Sequence, residues 1–195
     1  FIDLDEEKLN AWESLAVGRA REERLHALFA AASRERNPEE PIPDQFIRPR
    51  FVLLHTLAHV LMRQLALDCG YSSASLRERL YAGHGETPMS GLLIYTATTD
   101  ADGTLGGLVR QGESSRIGRV FMEALASSEW CSSDPLCIHE MASAPDSFNL
   151  SACHACLLAP ETSCEQYNRF LDRALLGGTP DEPGIGFFRP LLVNV

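Results

Sequence analysis

The strongest hydrophobic pattern in the chain covers residues 51–68, FVLLHTLAHVLMRQLALD. Apolar residues surround a single polar stripe formed by His55, His59 and Arg63, each four positions after the last. Residues four apart share one face of a helix, so the pattern predicts a buried helix with one polar stripe. Gly70 is expected to end this helix. Two histidines and an arginine would be costly in lipid, which argues against a membrane span.

The pattern before this helix predicts an N-terminal helical segment over residues 1–36, with Leu9, Trp12 and Leu15 on one face. Residues 37–50 contain four prolines. Proline lacks an amide donor and restricts the residue before it, so this stretch is predicted to be an extended connector. It is the expected boundary between the N-terminal segment and the main domain.

The main domain is predicted to span residues 51–176. Ser75 and Glu78 have the spacing of a capping box, which predicts a short helix beginning near Ser75. GLLIYTATT, residues 91–99, predicts a strand.

Helical spacing follows the strand at residues 114–128, and a last helix is expected over 165–176. Residues 177–195 form a glycine- and proline-rich linker with an apolar tail. The expected fold class is α+β, mostly helical, with a small β-hairpin or short sheet and a zinc-organised cysteine loop.

Composition limits the classes of function that fit. A chain of 195 residues with 45% hydrophobic residues can bury a core without covalent cross-links. The chain has a formal net charge of -10 and therefore lacks the broad positive field that non-specific nucleic-acid binding needs. The acidic start FIDLDEEK resembles no signal peptide, so a reducing, cytoplasmic setting is expected. In that setting clustered thiols bind metal more often than they form disulfides.

The cysteines cluster late in the chain, within CHACLLAPETSC and shortly before it. A Cys-x-x-Cys pair lets one tight turn present two thiolates to one ion, and four such ligands make a closed, structural Zn²⁺ site. Such an ion would organise the loop from about 129 to 165. The favoured ligands are Cys137, Cys153, Cys156 and Cys164. Cys131 is the leading substitute, and His139, His154, disulfides and unbound buried thiols stay open as alternatives.

The His55/His59 pair has the spacing of a helical metal site, but Thr56, Leu57 and Ala58 lie between them. The glutamate that serves as general base in metalloproteases is therefore missing. A hydrogen-bonded polar stripe is favoured. One alternative is a metal-dependent hydrolase or nuclease that uses His55 and His59. Another is a DNA-contacting zinc module, which needs a local basic face. The candidate arginines for that face are at positions 48, 50, 63, 77 and 79 or at positions 110, 116 and 119.

Four ordered segments, LHTLAHVLM, GLLIYTATTDADGTLGGL, CSSDPLC and ACHACLLAPETSCEQYNRFLDR, together resemble the MrfA-type zinc-binding domain of helicase-associated proteins. They are also similar to the DrmB family of the DISARM phage-defence system. The resemblance covers roughly Arg50 to Leu176, and the sequence has neither a Walker lysine loop nor a DExH box.

The resemblance implies a non-catalytic interaction domain that acts with a superfamily 2 helicase in DNA repair or phage defence. The partner would be a helicase subunit or the helicase core of a longer chain, with DNA reached through the complex and no membrane contact. Cys153, Cys156 and Cys164 match the family's closing cysteines. Either Cys131 or Cys137 matches the upstream ligand.

Overall fold

The computed structural model describes residues 1–36, 39, 47–83, 88–97, 107–139 and 148–193. Within these ranges the chain forms seven α-helices and one three-stranded antiparallel sheet, which confirms the α+β, mostly helical class. The helices are α1 (Glu6–Glu13), α2 (Ala16–Arg36), α3 (Pro49–Cys69), α4 (Gly107–Gln111), α5 (Ile117–Ser128), α6 (Ala174–Gly177) and α7 (Arg189–Leu192). The strands are β1 (Ile2–Asp3), β2 (Leu76–Gly83) and β3 (Met89–Thr96).

Helix α3 is the centre of the molecule, as its apolar pattern predicts. Pro49 occupies its first turn, where the missing amide costs nothing, and Gly70 ends it in the left-handed conformation with φ 69°. The helix packs against α1, α2, α5 and α6 and against the face of the sheet. Among the described residues, no helix is both long and apolar enough to cross a membrane.

The sheet has the strand order β1-β3-β2, and Leu76, Glu78 and Leu80 of β2 pair with Thr96, Ile94 and Leu92 of β3. The short helix predicted to begin near Ser75 is wrong. Ser73–Ser75 form a single 3-10 turn, and the chain then enters β2. The alternation in LRERLYAG, with buried Leu76 and Glu78 on the same face, outweighs the local capping signal.

The strand predicted over 91–99 begins at Met89, and residues 98 and 99 lie outside the described part of the chain. The helix predicted over 165–176 is also wrong, because only its end is helical, in α6. Tyr167, Asn168 and Phe170 have positive φ angles of 53°, 59° and 64°, which a helix does not contain. The Asn168 side chain instead bonds both the amide and the carbonyl of Ala159, closing a loop.

The two ends of the chain meet beside α3. The indole Nε1 of Trp12 donates a hydrogen bond to the carbonyl of Ile185 at 2.7 Å, and its ring meets Phe187 edge to face. The residue 1–36 segment therefore packs on the residue 177–195 segment. Of the predicted connector, the structure describes only residues 39 and 47–50, so the division of the chain into these segments stays a prediction.

Candidate metal centre

Four cysteine sulfurs converge at one point between α5 and the segment after residue 148: Cys131, Cys137, Cys153 and Cys156. Their Sγ atoms all lie within 4.8 Å of one another. Three of the separations are 3.5 Å (Cys131–Cys153), 3.7 Å (Cys137–Cys156) and 3.8 Å (Cys153–Cys156). A disulfide would need about 2.05 Å. A tetrahedral zinc ion with Zn–S bonds of about 2.3 Å places its sulfurs about 3.8 Å apart, so this cysteine quartet fits zinc.

The structure brings together Cys137, Cys153 and Cys156 of the predicted ligand set and adds Cys131 as the fourth member. Cys164, the remaining residue of that set, lies instead against α3, where it is grouped with two histidines and a glutamate. His139 and His154 are both exposed and belong to neither group.

Asp134 shapes the turn that carries the first two cysteines. Its carboxylate accepts hydrogen bonds from the amides of Cys131 at 2.8 Å and Ile138 at 3.1 Å. The buried guanidinium of Arg173 donates to the same carboxylate at 2.6 Å. The amide of Ser133 points at Cys131 Sγ from 3.4 Å. This anchoring brings Cys131 close enough to complete the quartet.

The second turn is the Cys-x-x-Cys pair. The amide of Cys153 lies 3.3 Å from Cys156 Sγ, and the amide of Leu157 donates to the carbonyl of Cys153 at 3.0 Å. Arg63 of α3 donates to the carbonyls of Ala155 at 2.6 Å and Cys156 at 3.0 Å. The turn is thus held by the central helix as well as by its own backbone.

The sulfurs of the quartet cannot all carry charge side by side without a cation. The Cys137 thiol donates a hydrogen bond to Cys156, which lowers the pKa of Cys156 to about 5 and raises the pKa of Cys137. Burial lowers the pKa of Arg173, but Asp134 and the thiolates of Cys137 and Cys156 raise it above its usual value. A bound dication would let all four thiols ionise, with Arg173 offsetting part of the remaining negative charge.

A second buried cluster lies on the other side of the same segment and consists of His55, His59, Glu78 and Cys164. The His55 Nε2 atom is 3.1 Å from Cys164 Sγ and 3.2 Å from Glu78 Oε1. The His59 Nε2 atom is 3.7 Å from Glu78 Oε2. All four side chains are buried, and their candidate ligand atoms lie within 4.8 Å of one another.

Charge is concentrated in this cluster. Burial alone would raise the pKa of Glu78, but the two histidines hold it well below its usual range. Burial lowers the pKa of His59, yet the adjacent Cys164 and Glu78 raise it to about 10. Burial likewise raises the pKa of Cys164, but His55 and His59 lower it to about 7. The chemistry of the cluster therefore favours an anionic thiolate and carboxylate facing positive charge.

Sequence reasoning favoured a hydrogen-bonded stripe for His55 and His59 and did not pair either residue with Glu78 or Cys164. A usable signal was present: Glu78 occupies the inward position between Leu76 and Leu80 in an alternating strand, where an acid is out of place unless it has partners.

A family model described as the MrfA Zn-binding domain matches residues 57–157, just over half of the chain. The chain belongs to the MrfA zinc-binding domain family. The match encloses all four residues of the cysteine quartet. It begins after His55 and ends before Cys164, so the second cluster lies only partly inside it.

The chain is also 37% identical over 193 residues to the DISARM protein DrmB of Bacillus paralicheniformis. That similarity covers 98% of this chain but 33% of the relative. The chain therefore spans about a third of the length of that relative.

Proposed function

We propose that this member of the MrfA zinc-binding domain family is a non-catalytic, zinc-stabilised interaction domain of a DISARM-like defence protein. Its partner would be a superfamily 2 helicase, either a separate subunit or the core of a longer chain. The observation that carries the proposal is the convergence of Cys131, Cys137, Cys153 and Cys156 into one closed quartet inside the family match. The similarity to DrmB supports the defence setting.

The quartet favours a structural role for the metal. Four thiolates occupy all four coordination positions of a tetrahedral zinc ion, so no position is left for a water or a substrate. When bound, the ion would cross-link the turn at residues 131–137 to the turn at residues 153–156. The described part of this region has little regular secondary structure, so its shape would depend on that cross-link.

The hydrolase or nuclease alternative depends on His55 and His59. A cavity of about 410 Å³ touches His59 beside Leu157 and His154. The Nε2 atom of His59 is nonetheless fully buried, and both histidines face Glu78 and Cys164 rather than the cavity. A hydrolytic metal needs an open coordination position, and this arrangement argues against one.

The DNA-contacting alternative needs a basic face, and most of the candidate arginines already have partners. Arg50 is buried against Glu6 and Glu13, and Arg63 caps two backbone carbonyls. Acidic side chains also pair with four more of these arginines: Arg48, Arg79, Arg116 and Arg119. These contacts favour a protein partner as the immediate target of the domain.

Co-purification with the helicase of the same defence system, together with a phage plaque assay, tests this proposal. We expect the double variant Cys131→Ser/Cys137→Ser to lose the zinc ion of the quartet, helicase binding and protection. Cys69→Ser, which alters a thiol outside both clusters, should keep all three. Cys156→His, which keeps a zinc ligand, should retain most of the binding. A folded double variant that has lost the quartet's zinc but still binds the helicase and protects cells would overturn the proposal.

A further inference from the structure

We propose that His55, His59, Glu78 and Cys164 form a second metal site, distinct from the cysteine quartet, that takes zinc or a similar divalent ion of borderline softness. Two imidazoles, one carboxylate and one thiolate are all zinc ligands. None of these four residues belongs to the quartet. The site is closed and structural rather than catalytic.

Distances within the cluster are close to those between the ligands of one tetrahedral ion. Zinc bonds of about 2.0–2.3 Å to nitrogen, oxygen and sulfur place neighbouring ligand atoms about 3.3–3.6 Å apart. The observed separations are 3.1 Å from His55 Nε2 to Cys164 Sγ, 3.2 Å from His55 Nε2 to Glu78 Oε1 and 3.7 Å from His59 Nε2 to Glu78 Oε2. Each separation lies within about half an ångström of the spacing that one ion would impose.

The tautomer of His59 supports the assignment independently. Its Nδ1 lies 2.8 Å from the carbonyl oxygen of Leu157, and a carbonyl can only accept, so Nδ1 carries the proton. In the neutral ring Nε2 then holds a lone pair, and it faces Glu78. Metal-binding histidines usually donate the proton of the far nitrogen to such a carbonyl, which fixes the tautomer and the orientation of the ring.

Three polar atoms of the cluster have no hydrogen-bond partner although they are buried: Nδ1 of His55, Nε2 of His59 and Oε2 of Glu78. Of these, Nε2 of His59 and Oε2 of Glu78 lie opposite each other, 3.7 Å apart. Leaving a buried polar atom unpaired costs about 1–3 kcal/mol, more when it is charged. An ion between them would satisfy both atoms at once.

Charge and the surrounding amides fit the same assignment. Two anions, Cys164 and Glu78, would balance a dication and leave the buried site neutral. The amides of Gln166 and Asn168 lie 3.3 Å and 3.2 Å from Cys164 Sγ, and such N–H···S contacts stabilise a thiolate. The amide of Glu165 donates to Glu78 Oε1 at 3.2 Å and holds that carboxylate in place.

The second site gives residues 153–164 a metal at each end. Cys153 and Cys156 would bind the first ion and Cys164 the second, while Arg63 and His59 of α3 hold carbonyls in between. The second ion would thus fasten the end of this segment to the central helix, and the first would fasten its beginning to the turn at residues 131–137.

The metal content of the purified protein, measured by inductively coupled plasma mass spectrometry, tests the second site. We expect two ions per chain in the unaltered protein. Cys164→Ser combined with His59→Asn should lose one, since asparagine keeps a donor near Leu157 but removes the ligand nitrogen. His154→Asn, an exposed histidine outside both clusters, is the matched control. Cys131→Ser/Cys137→Ser should lose the other ion.

X-ray absorption at the zinc edge of the unaltered protein gives a readout that does not depend on any variant folding. Two sites predict an average of about two and a half sulfur ligands per zinc, whereas the quartet alone predicts about four. One ion per chain with four sulfur ligands, unchanged by Cys164→Ser, would overturn the second site and leave the first intact. The second site would also be contradicted if Cys131→Ser/Cys137→Ser lost both ions while Cys164→Ser/His59→Asn kept both.

Discussion

The Nδ1 atom of His59 lies 2.8 Å from the carbonyl oxygen of Leu157. A side chain of the central helix thus holds the backbone of residues 153–164, the segment between the two clusters. Arg63, one helical turn later, donates to the carbonyls of Ala155 and Cys156. His55, one turn earlier, reaches Cys164. The polar stripe of α3 therefore contacts this segment at residues 155–157 and at Cys164, and each of its members supports a candidate metal site.

Replacing Arg63 by methionine should weaken zinc binding at the quartet without removing a ligand. The substitution keeps the apolar stem and removes both hydrogen bonds to the Cys-x-x-Cys turn. Loss of such outer contacts typically lowers metal affinity about 10- to 100-fold. Competition with a chromophoric chelator measures the change. Arg110→Met, at an exposed position of α4, is the control, and equal zinc affinity in the two variants would contradict the role given to Arg63.

Asp134→Ala should destabilise the turn that presents Cys131 and Cys137. The substitution leaves the buried Arg173 guanidinium without its carboxylate partner and frees two amides. Breaking a buried ion pair from one side costs about 3–5 kcal/mol, and the partial exposure of Asp134 favours the lower end. Urea unfolding in excess zinc measures the loss. A change below about 0.5 kcal/mol, the size typical of surface substitutions, would show that the turn does not need this anchor.

Arg50→Met should loosen the packing of α1 on α3. The Arg50 side chain is 1% exposed and pairs with Glu13 at 2.7 Å and Glu6 at 2.9 Å. Its removal leaves two carboxylates facing each other, and a loss of about 3 kcal/mol in the free energy of unfolding is expected. Arg119→Met removes an exposed pair with Glu123 and Asp68 and should change stability little. Thermal unfolding compares the two variants, and similar melting temperatures would argue against a special role for Arg50.

Trp12→Phe should weaken the joint between the N-terminal helix and the C-terminal tail. The aromatic contact with Phe187 is largely kept, but the carbonyl of Ile185 loses its buried donor. An unpaired buried acceptor costs about 1–3 kcal/mol. Hydrogen exchange should become faster over residues 183–193 and stay unchanged in the sheet. Trp130→Phe, at an exposed indole, is the control. Equal hydrogen-exchange rates over residues 183–193 in the two variants would contradict the proposed joint.

The sequence predicts the parts of this molecule in which local pattern and tertiary environment agree. Helix α3 is predictable because its apolar residues surround one polar stripe. Cys137, Cys153 and Cys156 are identifiable as candidate ligands from their spacing and residue type. Strand β2 is missed because a capping signal at Ser75 competes with alternation at Leu76 and Glu78. Side-chain pattern also gives no warning of the positive φ angles at Tyr167, Asn168 and Phe170.

Spacing left the choice between Cys131 and Cys137 open, and it could not show that both lie in the quartet while Cys164 lies outside it. That arrangement depends on Asp134 and Arg173, which draw Cys131 toward the other cysteines, and on the loop after residue 164, whose amides turn the Cys164 sulfur toward α3. The Arg173–Asp134 pair joins residues far apart in the sequence, and the other contacts are local bonds from backbone amides, which residue type does not reveal. Together they place each cysteine on one side of the 153–164 segment rather than the other.

Anomalous X-ray scattering from crystals, measured on either side of the zinc absorption edge, locates the ion of the quartet and its ligands in one experiment. We expect an anomalous peak enclosed by the sulfurs of Cys131, Cys137, Cys153 and Cys156, with Cys164 outside the coordination sphere of that ion. A crystal of zinc-supplemented protein with no peak at the quartet, or with Cys164 bound to that ion in place of Cys131, would contradict this prediction.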